Sequence, residues 1–242
     1  MGSYAYGLML EPGKTDGLRR LTSELTGARK AEHDDYMRRY HLTKEYGWIE
    51  QTRMGDMFVV YFEATDDFLA ENRAFAASTH PFDVWYKRQA GPLLGQELDQ
   101  PFPTGFIEVL YETQDAPATG SEKPFAIVAP LLPGKTEALR QLVTELLGPK
   151  RADLRESHMR LGQARENFYL EHTPQGDLFV YYSESEDPAT TVQRFGESRN
   201  AFDLWWKERV LDVSGVDYNQ PFPGPLPELI LATTMPVVGA AR

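Results

Sequence analysis

The chain has 242 residues, 41% of them hydrophobic and 12% aromatic, enough to bury a core in one large or two small domains. Lys and Arg total 25 against 36 Asp and Glu, and the formal charge of −11 would repel a phosphate backbone, so nucleic acid is not an expected partner. No run approaches the roughly 20 apolar residues of a membrane span, no basic segment leads into an apolar one at the start, and there is no cysteine. A cytoplasmic protein without membrane contact, disulfides, thiolate metal sites or thiol catalysis is expected.

The first predicted element is a strand over Tyr4 to Leu10, an apolar run stopped by Pro12-Gly13. Thr15 is placed to cap a helix whose Leu18, Leu21 and Leu25 recur at i, i+3 and i+7 and form one apolar face. Gly27 ends or kinks it, and a second helical stretch runs to about residue 41. Two extended runs, Glu45 to Thr52 and Asp56 to Glu63, flank Arg53-Met54-Gly55 and predict a β-hairpin. A helical region containing Phe82-Asp83-Val84-Trp85 follows. The prolines of Gln100-Pro101-Phe102-Pro103 then hold an extended loop, and a last strand over Phe106 to Tyr111 closes the unit.

The same signals return 121 residues later, with Pro133-Gly134-Lys135-Thr136 repeating Pro12-Gly13-Lys14-Thr15. At that offset Pro12 to Ala64 aligns with Pro133 to Ser185, and 21 of the 53 positions are identical. After one deletion Phe202-Asp203-Leu204-Trp205 and Gln220-Pro221-Phe222-Pro223 meet their counterparts. The second copy thus predicts a strand over Phe125 to Leu132, a helix face of Leu139, Leu142 and Leu146, a break at Gly148, a helical stretch to about 162, a hairpin turn at Pro174-Gln175-Gly176 and a last strand over Leu226 to Leu231. Thr113 to Lys123 is polar and rich in small residues, which is linker composition, so the repeats are placed at 1–120 and 121–242. The order is β-α-β-β-α-β twice, the split βαβ of ferredoxin-like folds, and the fold class is α+β.

On this element order, the tandem doubling and the hairpin residues Trp48, Glu50, Thr52, Gly55 and Asp56, the chain resembles the dimeric α+β barrel superfamily. That superfamily includes antibiotic-biosynthesis monooxygenases, chlorite-dismutase-like haem proteins and small uncharacterised ferredoxin-like domains. The resemblance implies two sheets packed face to face around a pocket, here within one chain. It carries no function with it, since one fold serves many chemistries.

The two Gly-Lys-Thr triplets invite a phosphate-loop reading, but a Walker A motif needs glycine five positions before Gly-Lys, where Leu8 and Ala129 stand. They are expected to be structural turns. In the hairpins, alternation sets Trp48, Glu50 and Thr52 on one face and Tyr169, Glu171 and Thr173 on the matching one. If that face is buried, desolvation raises Glu50 and Glu171 toward the range useful for proton transfer; if it is exposed, they are solvated charges. On the second helical stretch His33, Met37 and Tyr40 are exchanged for Leu154, His158 and Leu161, so any pocket beneath these helices differs in polarity between the copies. A helix position that tolerates imidazole is one reading of His158; an acid, base or haem ligand is the other. His172 should point away from Glu171, and His41 and His80 read as helix-end or loop residues. No metal-ligand spacing appears, so no metal and no cofactor are expected. Trp85, Tyr86, Trp205 and Trp206, with Phe82 and Phe202, read as core; the alternative is that some of these rings wall a hydrophobic ligand pocket.

The expected function is that of a small-molecule-binding barrel, a cofactor-independent oxygenase or cyclase acting on a hydrophobic or aromatic organic substrate. His158, Glu171 and Glu50 are the candidate catalytic residues. Trp48, Tyr169, Tyr61 and Tyr182, with His33 and Tyr36, are the candidate substrate contacts. The rival readings are a non-catalytic ligand-binding or self-assembling module, such as a homodimer, and a haem-binding barrel.

Overall fold

A computed structural model describes residues 2–236 apart from 66, 115–119, 221 and 223. The middle of the predicted linker and both prolines of the second Gln-Pro-Phe-Pro segment therefore lie outside the described residues.

The first half runs β1 (Gly2–Met9), α1 (Thr15–Thr26), α2 (Lys30–Arg39), β2 (Leu42–Thr52), β3 (Gly55–Ala64), α3 (Phe68–Ala77), α4 (Pro81–Leu94) and β4 (Ile107–Gln114). The second repeats the order as β5 (Lys123–Pro130), α5 (Thr136–Leu147), α6 (Arg151–Leu161), β6 (Gln163–Thr173), β7 (Gly176–Ser185), α7 (Pro188–Glu197), α8 (Ala201–Ser214) and β8 (Glu228–Thr234). The helical region around Phe-Asp-x-Trp is two helices in each half.

Among the described residues the strands form two four-stranded antiparallel sheets, ordered β1-β3-β2-β8 and β4-β6-β7-β5. The compact units are residues 1–106 with 227–242 (unit 1) and 107–226 (unit 2). The last strand of each half thus does not close its own unit, contrary to the sequence reading. β8 pairs with β2 from Lys44↔Thr234 to Ile49↔Glu228, and β4 pairs with β6 from Ile107↔Glu171 to Gln114↔Arg165. The physical reason is that β2 and β6 offer equivalent backbone edges, and main-chain pairing does not record which half supplied the strand.

In each unit the helices cover one sheet face. In unit 2, Leu139, Leu142 and Leu146 of α5 pack in one core with Phe168 and Leu170 of β6, Phe179 of β7, and Phe202 and Trp206 of α8. In unit 1 Leu18, Leu21 and Leu25 are buried at the matching positions of α1. Each such leucine contributes about 1.5–3 kcal/mol of transfer free energy, which is what the i, i+3, i+7 pattern encodes.

The repeated short motifs are structural ties. Gly13 and Gly134 take φ of +75° and +77°, the left-handed turn that a glycine makes without strain. Thr15 and Thr136 do not cap their helices. Lys14 and Lys135 hold the cap positions without a side-chain bond, and the threonine hydroxyls donate instead to Asp56 and Asp177 of the hairpins, joining helix start to hairpin turn. The Phe-Asp-x-Trp aspartates are fully buried. Asp83 accepts two bonds from Arg39, at 2.8 and 2.7 Å, and others from Tyr40 and Ser78; Asp203 accepts from Ser157 and Arg160 at 2.7 and 2.6 Å. One turn on, Lys87 and Lys207 donate to carbonyls at the ends of α3 and α7, at 2.8 Å to Ala76 and 2.7 Å to Gly196. Among the described residues no helix is long and apolar enough to cross a membrane.

Candidate functional site

The chemistry-bearing groups of unit 2 meet in a cavity between its helices and its sheet. Its walls are largely apolar, including Phe125, Leu161, Phe179, Phe195 and Trp206, and its volume is about 70 Å3. Glu166 enters from β6 and His158 from α6, and the imidazole Nε2 lies 3.0 Å from Glu166 Oε2. The other carboxylate oxygen accepts from the Gln163 amide at 3.1 Å, and the same amide reaches the Tyr181 hydroxyl at 2.9 Å. His158, Glu166 and Gln163 are 2%, 5% and 4% exposed. Burial, and next the charge of Glu166, hold the Tyr181 phenol well above its ordinary range. An imidazole and a carboxylate sharing a hydrogen bond among apolar walls can accept or release a proton as a coupled pair.

Unit 1 carries the corresponding cavity, also about 70 Å3, with Glu45 in the place of Glu166. Glu45 is again buried and again bonded by a histidine, His33 Nε2 at 2.7 Å. That histidine comes from a different position. His33 aligns with Leu154, and Met37 with His158, so the two units reach one carboxylate position from helix sites one turn apart.

The predicted site residues fall into two groups. His158 and His33 belong to these pairs, and Tyr36 lines the unit 1 cavity, its ring stacked on His33 at 5.9 Å. Trp48, Glu50 and Tyr61 of unit 1, and Tyr169, Glu171 and Tyr182 of unit 2, are all buried, on the sheet faces turned away from the cavities. Tyr61 donates to Glu63 at 2.9 Å, Tyr182 to Glu184 at 2.6 Å, and the Asn167 amide to Tyr169 at 2.9 Å. His158 and Glu171 therefore do not share a site: residues 166 and 171 are an odd number of positions apart on a regular strand and face opposite ways. His172 does point away from Glu171, with Nδ1 2.8 Å from Asp177. His41 follows α2 in a left-handed conformation, φ 52°, where the second copy has Gly162.

A haem ligated by His158 does not fit this cavity. The imidazole Nε2 is engaged by Glu166, and about 70 Å3 does not admit a macrocycle. Among the described residues no group of three or more His, Asp or Glu could hold a metal ion.

No family model matches the sequence, and no curated protein matches it significantly. Two solved structures resemble it over nearly the whole of both chains. A protein provisionally assigned as a monooxygenase, from Fusobacterium nucleatum subsp. nucleatum ATCC 25586, superposes with a TM-score of 0.51 at 8% identity, over 96% of this chain and 93% of its own. An anthrone oxidase-like protein does so with a TM-score of 0.50 at 13% identity, over 96% and 92%. This likeness shows an α+β fold. At such identity no residue role transfers with it.

Glu45 and Glu166, the centres of both pairs, are the residues that sequence reasoning missed. The signal was present, since the position is one of the identities between the copies and lies five residues before the Glu50 and Glu171 that drew attention.

Proposed function

We propose that the protein binds a small, mainly apolar organic molecule in the unit 2 cavity and that the Glu166–His158 pair moves a proton to or from it. The observation that carries this reading is a buried carboxylate–imidazole pair, 3.0 Å apart, set in a largely apolar wall. An activated C–H or a phenolic O–H of the substrate would lose its proton to the pair and keep the electrons. The resulting carbanion or phenolate is the species that reacts with dioxygen in cofactor-independent oxygenation, or with an internal electrophile in cyclisation. Glu166 accepts the proton, His158 shares it, and Gln163 fixes the carboxylate through its second oxygen.

The reading takes each unit as a ferredoxin-like repeat of a barrel-type protein. The repeated element order supports that, as do the names of the two proteins of similar fold, one a monooxygenase by provisional assignment and the other anthrone oxidase-like. Trp48, Glu50, Tyr61, Tyr169, Glu171 and Tyr182 enter it as a second, separate group of candidate ligand contacts.

Ligand-observed NMR against a library of small aromatic and alicyclic acids, phenols and ketones identifies binders, which are then assayed for turnover under air. Glu166→Gln keeps the shape and removes the base, so binding should hold within a few-fold while turnover falls about 10²–10⁴-fold. His158→Leu should cut turnover similarly, and His33→Leu in unit 1 should not. Unchanged turnover in both unit 2 variants would overturn the proposal. A second reading, ligand binding without reaction, is favoured by the recurrence of the carboxylate–imidazole pair in unit 1, since a pair that ties helix to sheet would recur for that reason alone; binders that never turn over would establish it.

A further inference from the structure

On the sheet side of the two cavities, three matching positions carry opposite chemistry. Unit 2 has Gln163, Tyr181 and Ser183 where unit 1 has Leu42, Val60 and Phe62. The same scaffold therefore accepts an apolar residue at each of them, and the fold does not require the polar set. In unit 2 that set gathers around the carboxylate. Ser183 stands opposite Glu166 in the β6–β7 pairing, and Tyr181 stands opposite Phe168, the two rings meeting at 5.9 Å.

The Tyr181 hydroxyl is held by its oxygen. Gln163 Nε2 donates to that oxygen at 2.9 Å and to Glu166 Oε1 at 3.1 Å, so one nitrogen bridges phenol and carboxylate. The Ser183 hydroxyl, two residues along β7 on the same face, favours the same oxygen. A phenol has two lone pairs and one hydrogen. With donors on the oxygen, the hydrogen is the part left to use, and among the described residues no acceptor takes it. Ser157 and Thr191 also line the cavity, but their hydroxyls already donate to Asp203 at 2.7 Å and to the Leu161 carbonyl at 3.3 Å. Burial above all holds the Tyr181 phenol well above its ordinary range, so the hydrogen stays in place at neutral pH.

The geometry points to Tyr181 as the hydrogen-bond donor that recognises the ligand of the unit 2 cavity, and to a carbonyl compound as that ligand. The inference rests on the reading of this cavity as the ligand site. A hydrocarbon of the same shape would leave the phenol hydrogen unpaired, which selects for an acceptor oxygen. Because one nitrogen separates Tyr181 from Glu166, a carbonyl oxygen on the phenol brings the carbon beside it toward the carboxylate. When that carbon gives its proton to the Glu166–His158 pair, the C–H electrons form the C=C bond of an enolate. The carbonyl π electrons pass to the oxygen, and the Tyr181 hydrogen stabilises the charge that develops there.

The test titrates the full chain with acetophenone and with ethylbenzene, its counterpart without the oxygen, and reads occupancy of unit 2 from the NMR shifts of β6 and β7 amides. Tyr181→Phe should weaken acetophenone about fivefold or more and leave ethylbenzene within about twofold. Acetophenone labelled with carbon-13 at the carbonyl gives a second readout, since its carbonyl resonance moves downfield when the oxygen accepts a hydrogen bond. The bound resonance should lie downfield of its position in an apolar solvent and return toward that position in Tyr181→Phe. If that variant fails to fold, fluorotyrosine in place of Tyr181 decides: it keeps the ring, is a stronger donor and should move the resonance further downfield. No binding of acetophenone at unit 2, equal losses for the two probes, or a resonance indifferent to position 181 would each overturn the inference. None of these readouts needs turnover. A carbonyl shift that depends on Tyr181 with no turnover of any binder would keep this donor and remove the proton-transfer reading, and turnover lost in Glu166→Gln with no such shift would do the reverse.

Discussion

Replacing His158 by methionine, the residue found at the matching position 37 of unit 1, removes the imidazole from Glu166 while keeping an apolar side chain of similar length. The two side chains are buried, so solvent screens their contact very little. Removing one member of such a buried pair typically costs about 3–5 kcal/mol; Gln163, still bonded to the other oxygen, and the volume of methionine place the expectation near 3 kcal/mol. Unit 1 shows the remedy, because His33, aligned with Leu154, reaches its glutamate at 2.7 Å. Adding Leu154→His to His158→Met should rebuild the pair from one turn earlier and recover about 1.5 kcal/mol or more, a coupling far above the additivity error of a double-mutant cycle. Urea unfolding at pH 7 measures the four stabilities, with an unchanged m-value required, and hydrogen exchange of α6 and β6 amides assigns the loss to unit 2. A single-variant cost below about 1 kcal/mol, or a double variant equal to the sum of the singles, would refute the view that the carboxylate position dictates the histidine.

Thr136→Val should cost about 1.5–3 kcal/mol in urea unfolding, since it removes a hydrogen bond to a charged acceptor, Asp177; a neutral result would return the threonine to an ordinary helix start. Arg39→Met should cost about 3 kcal/mol at pH 7, because Asp83 stays fully buried with only Tyr40 and Ser78. Burial pushes Asp83 up, but the bonds from Arg39, Ser78 and Tyr40 outweigh it and hold the carboxyl below its ordinary value. Its stabilisation is therefore present above the ordinary aspartate range and lost as pH falls through the lowered value, while in the variant the loss should begin at higher pH, read by acid titration of the circular dichroism. Haemin added to the protein should give no Soret shift that depends on His158; a shift abolished by His158→Ala would install the haem reading. Truncation after residue 227 deletes β8, so hydrogen-exchange protection should fall in β2 of unit 1 and persist in β6 of unit 2; the opposite pattern would show that strands stay within their own halves.

Local elements were legible because each is set by a pattern that packing reinforces. Leu18, Leu21 and Leu25 recur at helical spacing and are buried on α1, and Gly55-Asp56 marks a hairpin in which Thr52 pairs with Gly55. The site was legible only in part. The stripe exchange of His33 and Met37 for Leu154 and His158 correctly flagged unequal helix faces, but the partner of each histidine lies across the unit, 12 or 8 residues away on a strand, and periodicity does not say which strand face a helix covers. Glu50 and Glu171 stood out because an aromatic residue stands two positions before each in both copies, whereas only Glu166 of the other pair has an aromatic residue on its own strand face, Phe168, and Glu45 has Gly47 there. The strand exchange was not legible at all, because the two edges that accept β4 and β8 are copies of each other.

The residues kept between the halves and those that changed divide by role. The Thr–Asp tie, the Arg–Asp bridge, the lysine that closes α3 or α7 and the leucine face of the first helix all hold one element against another, and all are present twice. A change at any of them leaves a cavity, a buried charge or a charged acceptor without its donor, at about 1.5–5 kcal/mol, a large share of the stability of a domain this size. Substitutions at positions 6, 36, 40 and 86 and their counterparts trade tyrosines for isoleucine, serine, leucine and tryptophan around an unchanged carboxylate. Each of those side chains borders an open space of about 70 Å3 on one side, so its polarity can change there while its packed contacts on the other side are kept. Both units can therefore keep one scaffold and one carboxylate–histidine pair while their cavity walls diverge, unit 1 carrying tyrosines at four positions where unit 2 has isoleucine, serine, leucine and tryptophan. A single ligand that fills both equally would be at odds with the walls they have acquired.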